Sequence, residues 1–373
     1  MASIAKSLSV ADVAQSFVDI GEITMKVIVF DTKPYDRKYL DKENERYGFE
    51  IKYIEGKLTP DTAKLAAGYD VVCAFVNDDI GAATIDVLVD VGVRAIAMRC
   101  AGYNNVDIRH AFGKIHVVRV PKYSPFAVAE HAIALLMTLN RRIHRAYLRT
   151  RDGNFNLNGL LGFDMHGKIV GVVGTGQIGR CFIDICRGFG MQVLAYDPYP
   201  NPNAGIEYVS IDELLSRSDV VSLHCPLTAE THHLIDAKRL SLMKPNAVIV
   251  NTSRGALIDS AALIEALKDG AIGGAALDVY EEEAQYFFED HSNDVIKDDQ
   301  LTRLLSFNNV LVTSHQAFFT HEALEKIAEV TFENIANLSA FRGNRETYLA
   351  NEVCYQCEKF GGDCPKKNHK NCF

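Results

Sequence analysis

No stretch of this chain is apolar for anything close to the ~18 consecutive residues that a membrane-spanning helix needs, so a membrane partner is not expected. Positive charge is in deficit too. Lys and Arg number 39 against 48 Asp and Glu, a net charge of −9, which argues against nucleic acid or an anionic lipid surface as the main partner. Residues 1–24 lack the compact apolar segment of a secretory signal. They also lack the arginines of a mitochondrial presequence: Lys6 is accompanied by Asp12, Asp19 and Glu22. A cytoplasmic location is therefore expected, with a plastid-type leader the alternative because of the serines. The spacing of Ile4, Leu8, Val13, Phe17 and Ile20 allows an amphipathic helix there. Cys73, Cys100, Cys181, Cys186 and Cys225 show no paired spacing and sit among apolar segments, as buried thiols of a reducing compartment do.

What is present is an ordinary globular composition, 48% hydrophobic and 23% charged, in 373 residues, enough for two domains with full cores. From Met25 short apolar runs alternate with helical stretches: 26–30, 50–54, 71–76, 95–98 and 117–120. The alternation resumes at 169–173, 193–196, 220–223, 247–250, 273–277 and 310–313. Such spacing predicts an α/β chain of two doubly wound parallel-sheet domains. Between them Ser124 can cap, and Pro125 can open, a long helix running to about Leu148. Residues 321–338 form a further amphipathic helix that returns to the first domain. The expected division is thus an extension (1–24), a discontinuous first domain (25–125 and 322–350), a second domain with its linking helix (126–321) and a tail (351–373).

The second domain opens on its most specific stretch. An apolar run, Ile169 to Val173, ends at Gly174-Thr175-Gly176-Gln177-Ile178-Gly179, and a second run ends on Asp197, 23 residues after Gly174. Strand, tight turn, helix and strand make a dinucleotide site. Gly174 permits the turn, Gly176 lets a pyrophosphate approach the backbone, and Gly179 lets helix and strand pack. The helix N-terminus offers unpaired N–H groups to the phosphates, and Asp197 can accept both ribose hydroxyls. A 2′-phosphate about 4 Å from that carboxylate would meet repulsion of roughly 1–4 kcal/mol. Pro198-Tyr199-Pro200-Asn201 supplies no positive charge against it. NAD is favoured over NADP.

Three polar stretches then follow apolar runs, at strand ends where open α/β sheets bind ligands: Asn251–Gly255 with Arg254, Asp278–Glu283, and Ser314–Gln316 with His315. Taken singly, each has a plainer reading: a surface ion pair, a solvated acidic loop, a satisfied histidine. Together, beside a dinucleotide, they point to hydride transfer to a 2-keto acid. A guanidinium can hold the substrate carboxylate by two parallel hydrogen bonds. An imidazolium can protonate the carbonyl oxygen, and a buried carboxylate can hold its tautomer.

VVGTGQIG, SLHCPLT, NTSRGALID, DVYEEE and SHQAF, in this order, resemble the D-isomer-specific 2-hydroxyacid dehydrogenase family. Residues 25–350 are similar to its bacterial fermentative D-lactate dehydrogenases almost throughout, FVNDD, RCAGYNNVD, AEHAIALLMTLNRRIHRAY and FFEDHSNDVI included. The resemblance implies a flavodoxin-like substrate domain, a Rossmann NAD domain and a cleft between them. It implies Arg254 as the carboxylate binder, Glu283 among the three acids as the partner of the acid–base residue His315, and Tyr123, Ala101 and Gly102 completing the carboxylate clamp. On the cofactor side it implies Gln177 and Ile178 at the pyrophosphate and Asp197 at the ribose. It further implies Cys225, Pro226 and Thr231 near the adenosine, Thr252, Ser253 and Arg254 along the nicotinamide half, and Asp278 near the carboxamide. Thr231 stands where some relatives carry Asn, and Cys225 reads more simply as a small apolar residue lining the adenine slot. Phe318, Phe319 and Tyr123 are candidates to wall the side-chain pocket.

The implied activity is pyruvate reduction to D-lactate by NADH, in a homo-oligomer whose other partner is a small 2-keto or 2-hydroxy acid. The rivals are a reductase for hydroxypyruvate, glyoxylate or a branched keto acid, and an NAD(H)-sensing corepressor-like protein. The tail departs from the family: Cys354, Cys357, Cys364 and Cys372, with His369, allow a zinc site, a thiol–disulfide switch or no specific role.

Overall fold

Five four-residue runs form the first sheet: β1 (Lys26–Val29), β2 (Glu50–Tyr53), β3 (Val71–Ala74), β4 (Ala95–Met98) and β5 (His116–Arg119). All pair in parallel, in the order β2-β1-β3-β4-β5, the flavodoxin-like winding. Every residue of β3 and β4 is buried, as expected of central strands covered on both faces. This computed structural model describes residues 24–340, 351–353 and 355; the readings placed on residues 1–23 and on Cys354, Cys357, Cys364, His369 and Cys372 lie outside them. The chain comes back to this sheet late. Glu352 bridges Val118 in antiparallel fashion, Arg119 N–H donates to Asn351 O at 3.1 Å, and Val353 N–H donates to Val117 O at 2.8 Å.

The second sheet has seven parallel strands: β6 (Ile169–Val173), β7 (Gln192–Tyr196), β8 (Glu207–Tyr208), β9 (Val220–Leu223), β10 (Val248–Asn251), β11 (Gly274–Leu277) and β12 (Val310–Val312). Their order, β12-β11-β10-β9-β6-β7-β8, reverses between β6 and β9. That reversal is the switch point of a dinucleotide-binding winding, where strand ends leave a crevice. Alternation of side chains gives each face its own core. Val170, Val172 and Val220 pack with Leu136, Phe182 and Ile183, whereas Val173, Val221 and Leu223 pack with Leu214, Leu263 and Ile264. Both sheets thus belong to an α/β chain of doubly wound parallel sheets. The described residues fall into two compact units, Lys122–Lys326 and, separately, those up to Pro121 together with those from Ile327 on.

Two expectations are corrected. The helix that Ser124 caps, its hydroxyl accepting from Ala127 N–H at 3.2 Å, runs Pro125–Asn140 and does not continue to Leu148. Asn140 is engaged elsewhere, its amide exchanging hydrogen bonds with Phe163 N and O at 2.9 and 2.8 Å. Arg142 then turns left-handed (φ 51°), and a separate helix spans Ile143–Arg151. Strand β8, too short to show an alternating pattern, was not expected.

Candidate active site

The dinucleotide turn is built from backbone. Gly174 has φ +93°, and a Cβ there would lie 2.7 Å from His224 O, so the end of β6 and the residue after β9 touch directly. A Cβ on Gly179 would sit 2.1 Å from Gly174 O, which leaves no room for a side chain between helix Gln177–Gly188 and the turn. Gly176 is the converse: nothing lies within 4 Å of where its Cβ would be. It is the N-cap of that helix and brings no capping side chain to the first-turn N–H groups.

Asp197, at the end of β7, accepts from Thr175 N–H and Thr175 hydroxyl, both at 2.8 Å, and from Tyr199 N–H at 2.9 Å. Burial pushes its pKa up, but these donors outweigh it and hold the carboxyl below the usual range. Two polar atoms here are enclosed without a protein partner, His224 Nδ1 and Thr252 Oγ1. The open Gly176 cradle and the orphaned Thr252 hydroxyl are what a bound dinucleotide would fill and satisfy. Burial drives the Cys225 thiol up to about 11, so it is a neutral lining group. Thr231 Oγ1 is spent inside its own turn, donating to Pro226 O and accepting from Thr228 N–H, both at 2.7 Å.

The three candidate catalytic residues lie beyond the carboxyl ends of adjacent strands β10, β11 and β12. Glu283 Oε1 lies 2.6 Å from His315 Nδ1, and both side chains are largely buried. Glu283 Oε2 accepts from Tyr280 N–H at 3.0 Å, which fixes the carboxylate that orients the ring. Of the three acids, geometry therefore selects Glu283. Glu281 is paired elsewhere, 2.6 Å from His233 Nε2. The Arg254 loop is shaped by Asn251, whose side chain accepts from Ser253 N–H and donates to Arg254 O at 3.0 and 2.8 Å, and by Ser253 Oγ on Leu223 O at 2.8 Å. Gly255 brings this loop to the next strand: a Cβ there would be 2.1 Å from Tyr280 C and 2.4 Å from Glu281 N.

His315 itself has φ 53°, a left-handed conformation that surrounding contacts must hold. Asp278 holds it. Its carbonyl accepts from His315 N–H at 2.7 Å, and its fully buried carboxylate accepts from Thr313 hydroxyl (2.5 Å), Gln316 N–H (2.9 Å) and Ala317 N–H (2.8 Å). His131, from helix Pro125–Asn140, stands 3.3 Å from the same carboxylate. Burial raises the Asp278 pKa, but the donors of His131, Thr313 and the backbone prevail, and it stays below the usual range. His131 and Thr313 carry no local sequence signal. Phe288 is also new: its ring centre is 5.9 Å from that of His315 and 6.5 Å from that of Phe318. Phe319 is 48% exposed. Tyr123 is half-buried in the seven-stranded unit, and Ala101 and Gly102 follow β4 in the other.

With this geometry in place, comparison with known proteins is direct. Residues 133–317 match the family model described as D-isomer specific 2-hydroxyacid dehydrogenase, NAD binding domain. The chain is 56% identical over 319 residues to the D-lactate dehydrogenase of Escherichia coli, covering 84% of this chain and 97% of that one. The apo structure of an E. coli D-lactate dehydrogenase superposes with a TM-score of 0.79 at 51% identity, covering 88% and 100% of the two chains. A structure described as the pyruvate reductase of Chlamydomonas reinhardtii gives 0.82 at 46%, covering 88% and 98%. A parallel switch-point sheet, a glycine cradle and a histidine–glutamate pair, joined to identity across most of the sequence, make this chain a member of the D-isomer specific 2-hydroxyacid dehydrogenases, an enzyme with an NAD-binding domain.

Proposed function

We propose that this enzyme is a D-lactate dehydrogenase, catalysing pyruvate + NADH + H⁺ → D-lactate + NAD⁺ and the reverse. The observation that carries the reading is the 2.6 Å contact between Glu283 Oε1 and His315 Nδ1, one strand over from the Arg254 loop. The relatives' names supply the substrate class. Gly174, Gly176, Gln177, Ile178, Gly179 and Asp197 would hold the adenosine and pyrophosphate part of NAD, with Cys225, Pro226 and Thr231 at its rim. Thr252, Ser253 and Asp278 would line the nicotinamide part. When bound, the nicotinamide supplies the hydride.

The protein's own groups do the rest. Arg254 pairs with the substrate carboxylate and sets the carbonyl's direction, assisted by Tyr123 of the same unit. His315 gives its Nε2 proton to the carbonyl oxygen, and Glu283 keeps Nδ1–H in place and stabilises the ring's charge before transfer. In the oxidative direction the same nitrogen takes the proton back. Phe288 beside His315, with Phe318 against Phe288, makes a small apolar wall that suits a methyl group. One methylene discriminates by only ~1–3 kcal/mol, so ranking substrates is the decisive test. Steady-state NADH oxidation with pyruvate, hydroxypyruvate, glyoxylate and 2-ketoisocaproate should give pyruvate the highest kcat/KM; a branched keto acid in first place overturns the assignment.

Two attendant readings are part of the proposal. The protein acts as a homo-oligomer, supported by the apolar surface of helix Ile143–Arg151 and the segment after it, where Tyr147, Phe155, Leu157 and Leu161 are 59%, 75%, 79% and 92% exposed. Light scattering should give more than one chain per particle, and Leu157→Glu should lower that number. It works in a cytosol-like compartment, supported by five cysteines that are all free thiols among the described residues.

A further inference from the structure

On the seven-stranded unit, close in sequence to Glu283, His233 and Glu281 line a cavity of about 420 Å³, and His232 brings a second imidazole beside them. The lining includes Asp259, Glu281, Glu282, Asp298 and Asp299 and no lysine or arginine, so its field favours a cation. His232, His233 and Glu281 each place one ligating atom within 4.8 Å of the others. Neighbouring residues ordinarily send their side chains apart. Here His233 takes a left-handed φ of 49°, its N–H fixed on Ala256 O at 2.8 Å, and the two rings stack with centres 4.0 Å apart. Backbone strain of this kind persists only where the surroundings enforce it.

We propose that His232, His233 and Glu281 bind a divalent transition-metal cation of the zinc class, with Asp259 as the carboxylate behind the His233 ligand. The donor set, two neutral imidazoles and one carboxylate with a fourth position left to water, is the chemistry that such cations select. Ligand bonds of about 2.0–2.2 Å set tetrahedral ligand atoms roughly 3.3 Å apart. His233 Nε2 and Glu281 Oε1, now 2.6 Å apart, therefore open slightly, while the exposed His232 swings in. With Nε2 on the metal, the imidazole proton moves to Nδ1. Asp259 Oδ2 stands 3.9 Å from that atom, the place of the outer carboxylate that orients a metal-bound histidine. The site is separate in chemistry from the tail, whose ligands would be thiolates.

That difference supplies the test, which reads binding and not turnover, and so stands apart from the assignment of the reaction. The full chain, stripped of metal and reduced, is titrated with Co²⁺ while absorbance is recorded, and Zn²⁺ is then added as competitor. Nitrogen and oxygen ligands give Co²⁺ only weak visible bands, whereas thiolates add an intense near-ultraviolet charge-transfer band. The expected result is a component without the thiolate band, displaced by Zn²⁺ and lost in His232→Ala, a change at an exposed side chain. Asp259→Asn keeps its helix cap, since asparagine caps as well as aspartate, and should weaken the same component ~10-fold or more. If all bound Co²⁺ carries the thiolate band, or if His232→Ala binds the band-free component as tightly as the parent, the site does not exist.

Discussion

The glycine cradle and the catalytic trio sit on one sheet but are made of different material. From Gly174 to Gly179 the chain works with its backbone, and the side chains matter by being absent: one Cβ would strike His224 O, another Gly174 O. Arg254, Glu283 and His315 work with side-chain atoms: Arg254 is held by Ser253 and Glu283 by Tyr280 within their own loops, and His315 by Asp278 from the neighbouring strand end. The first kind of site fails by crowding and loses the cofactor. The second fails by deletion and leaves binding intact. Mutations should therefore separate NADH affinity from turnover.

His315→Gln probes the widest gap. Without an acid at Nε2, kcat should fall ~10²–10⁴-fold, while equilibrium NADH binding, followed by nucleotide fluorescence, stays as in the parent. Joint loss of both would erase the distinction. Gly179→Ala is the mirror experiment. Its methyl must displace the Gly174 carbonyl, an overpacking cost of ~1–3 kcal/mol. NADH affinity should drop by about 5- to 150-fold, with kcat at saturating NADH far less affected. Arg254→Lys keeps the charge and loses the two-pronged geometry; KM for the keto acid should rise ~10–100-fold in steady-state kinetics, with a smaller change in kcat.

The smallest effect concerns acid stability. Burial pushes the His224 imidazole, against the cradle, down to about 3 from an ordinary 6.5. Its folded-state pKa is depressed, so the unfolded chain binds the extra proton first. Stability is full above about 6.5 and declines as pH falls toward 3. Chemical denaturation at pH 7 and pH 5 should show the parent losing up to about 2 kcal/mol more than His224→Gln over that interval.

What the residues disclosed on their own follows the same division. The cradle was legible because it is contiguous: turn, helix start and Asp197 fall within one strand–helix–strand stretch. So were the strands of both sheets, whose burial on two faces leaves short apolar runs. The trio was legible as residue types at strand ends, but Glu281, Glu282 and Glu283 were alike in spacing until His233 claimed one and His315 another. His131, Thr313 and Phe288 could not be read, because each gains its place by meeting Asp278 or His315 across the fold. The early helix end has the same origin. Asn140 answers to Phe163, more than twenty residues on, and helix propensity has no access to that pairing.

The late return of residues 351–353 to β5 has a practical corollary for anyone shortening this protein. β5 is the outermost strand of its sheet, and the row of N–H and C=O groups on its free side is occupied by Asn351 and Val353. A chain ended at residue 350 to remove the cysteines would uncover that row, an invitation to strand-to-strand aggregation. Ending it after Val353 would keep the selvedge sewn.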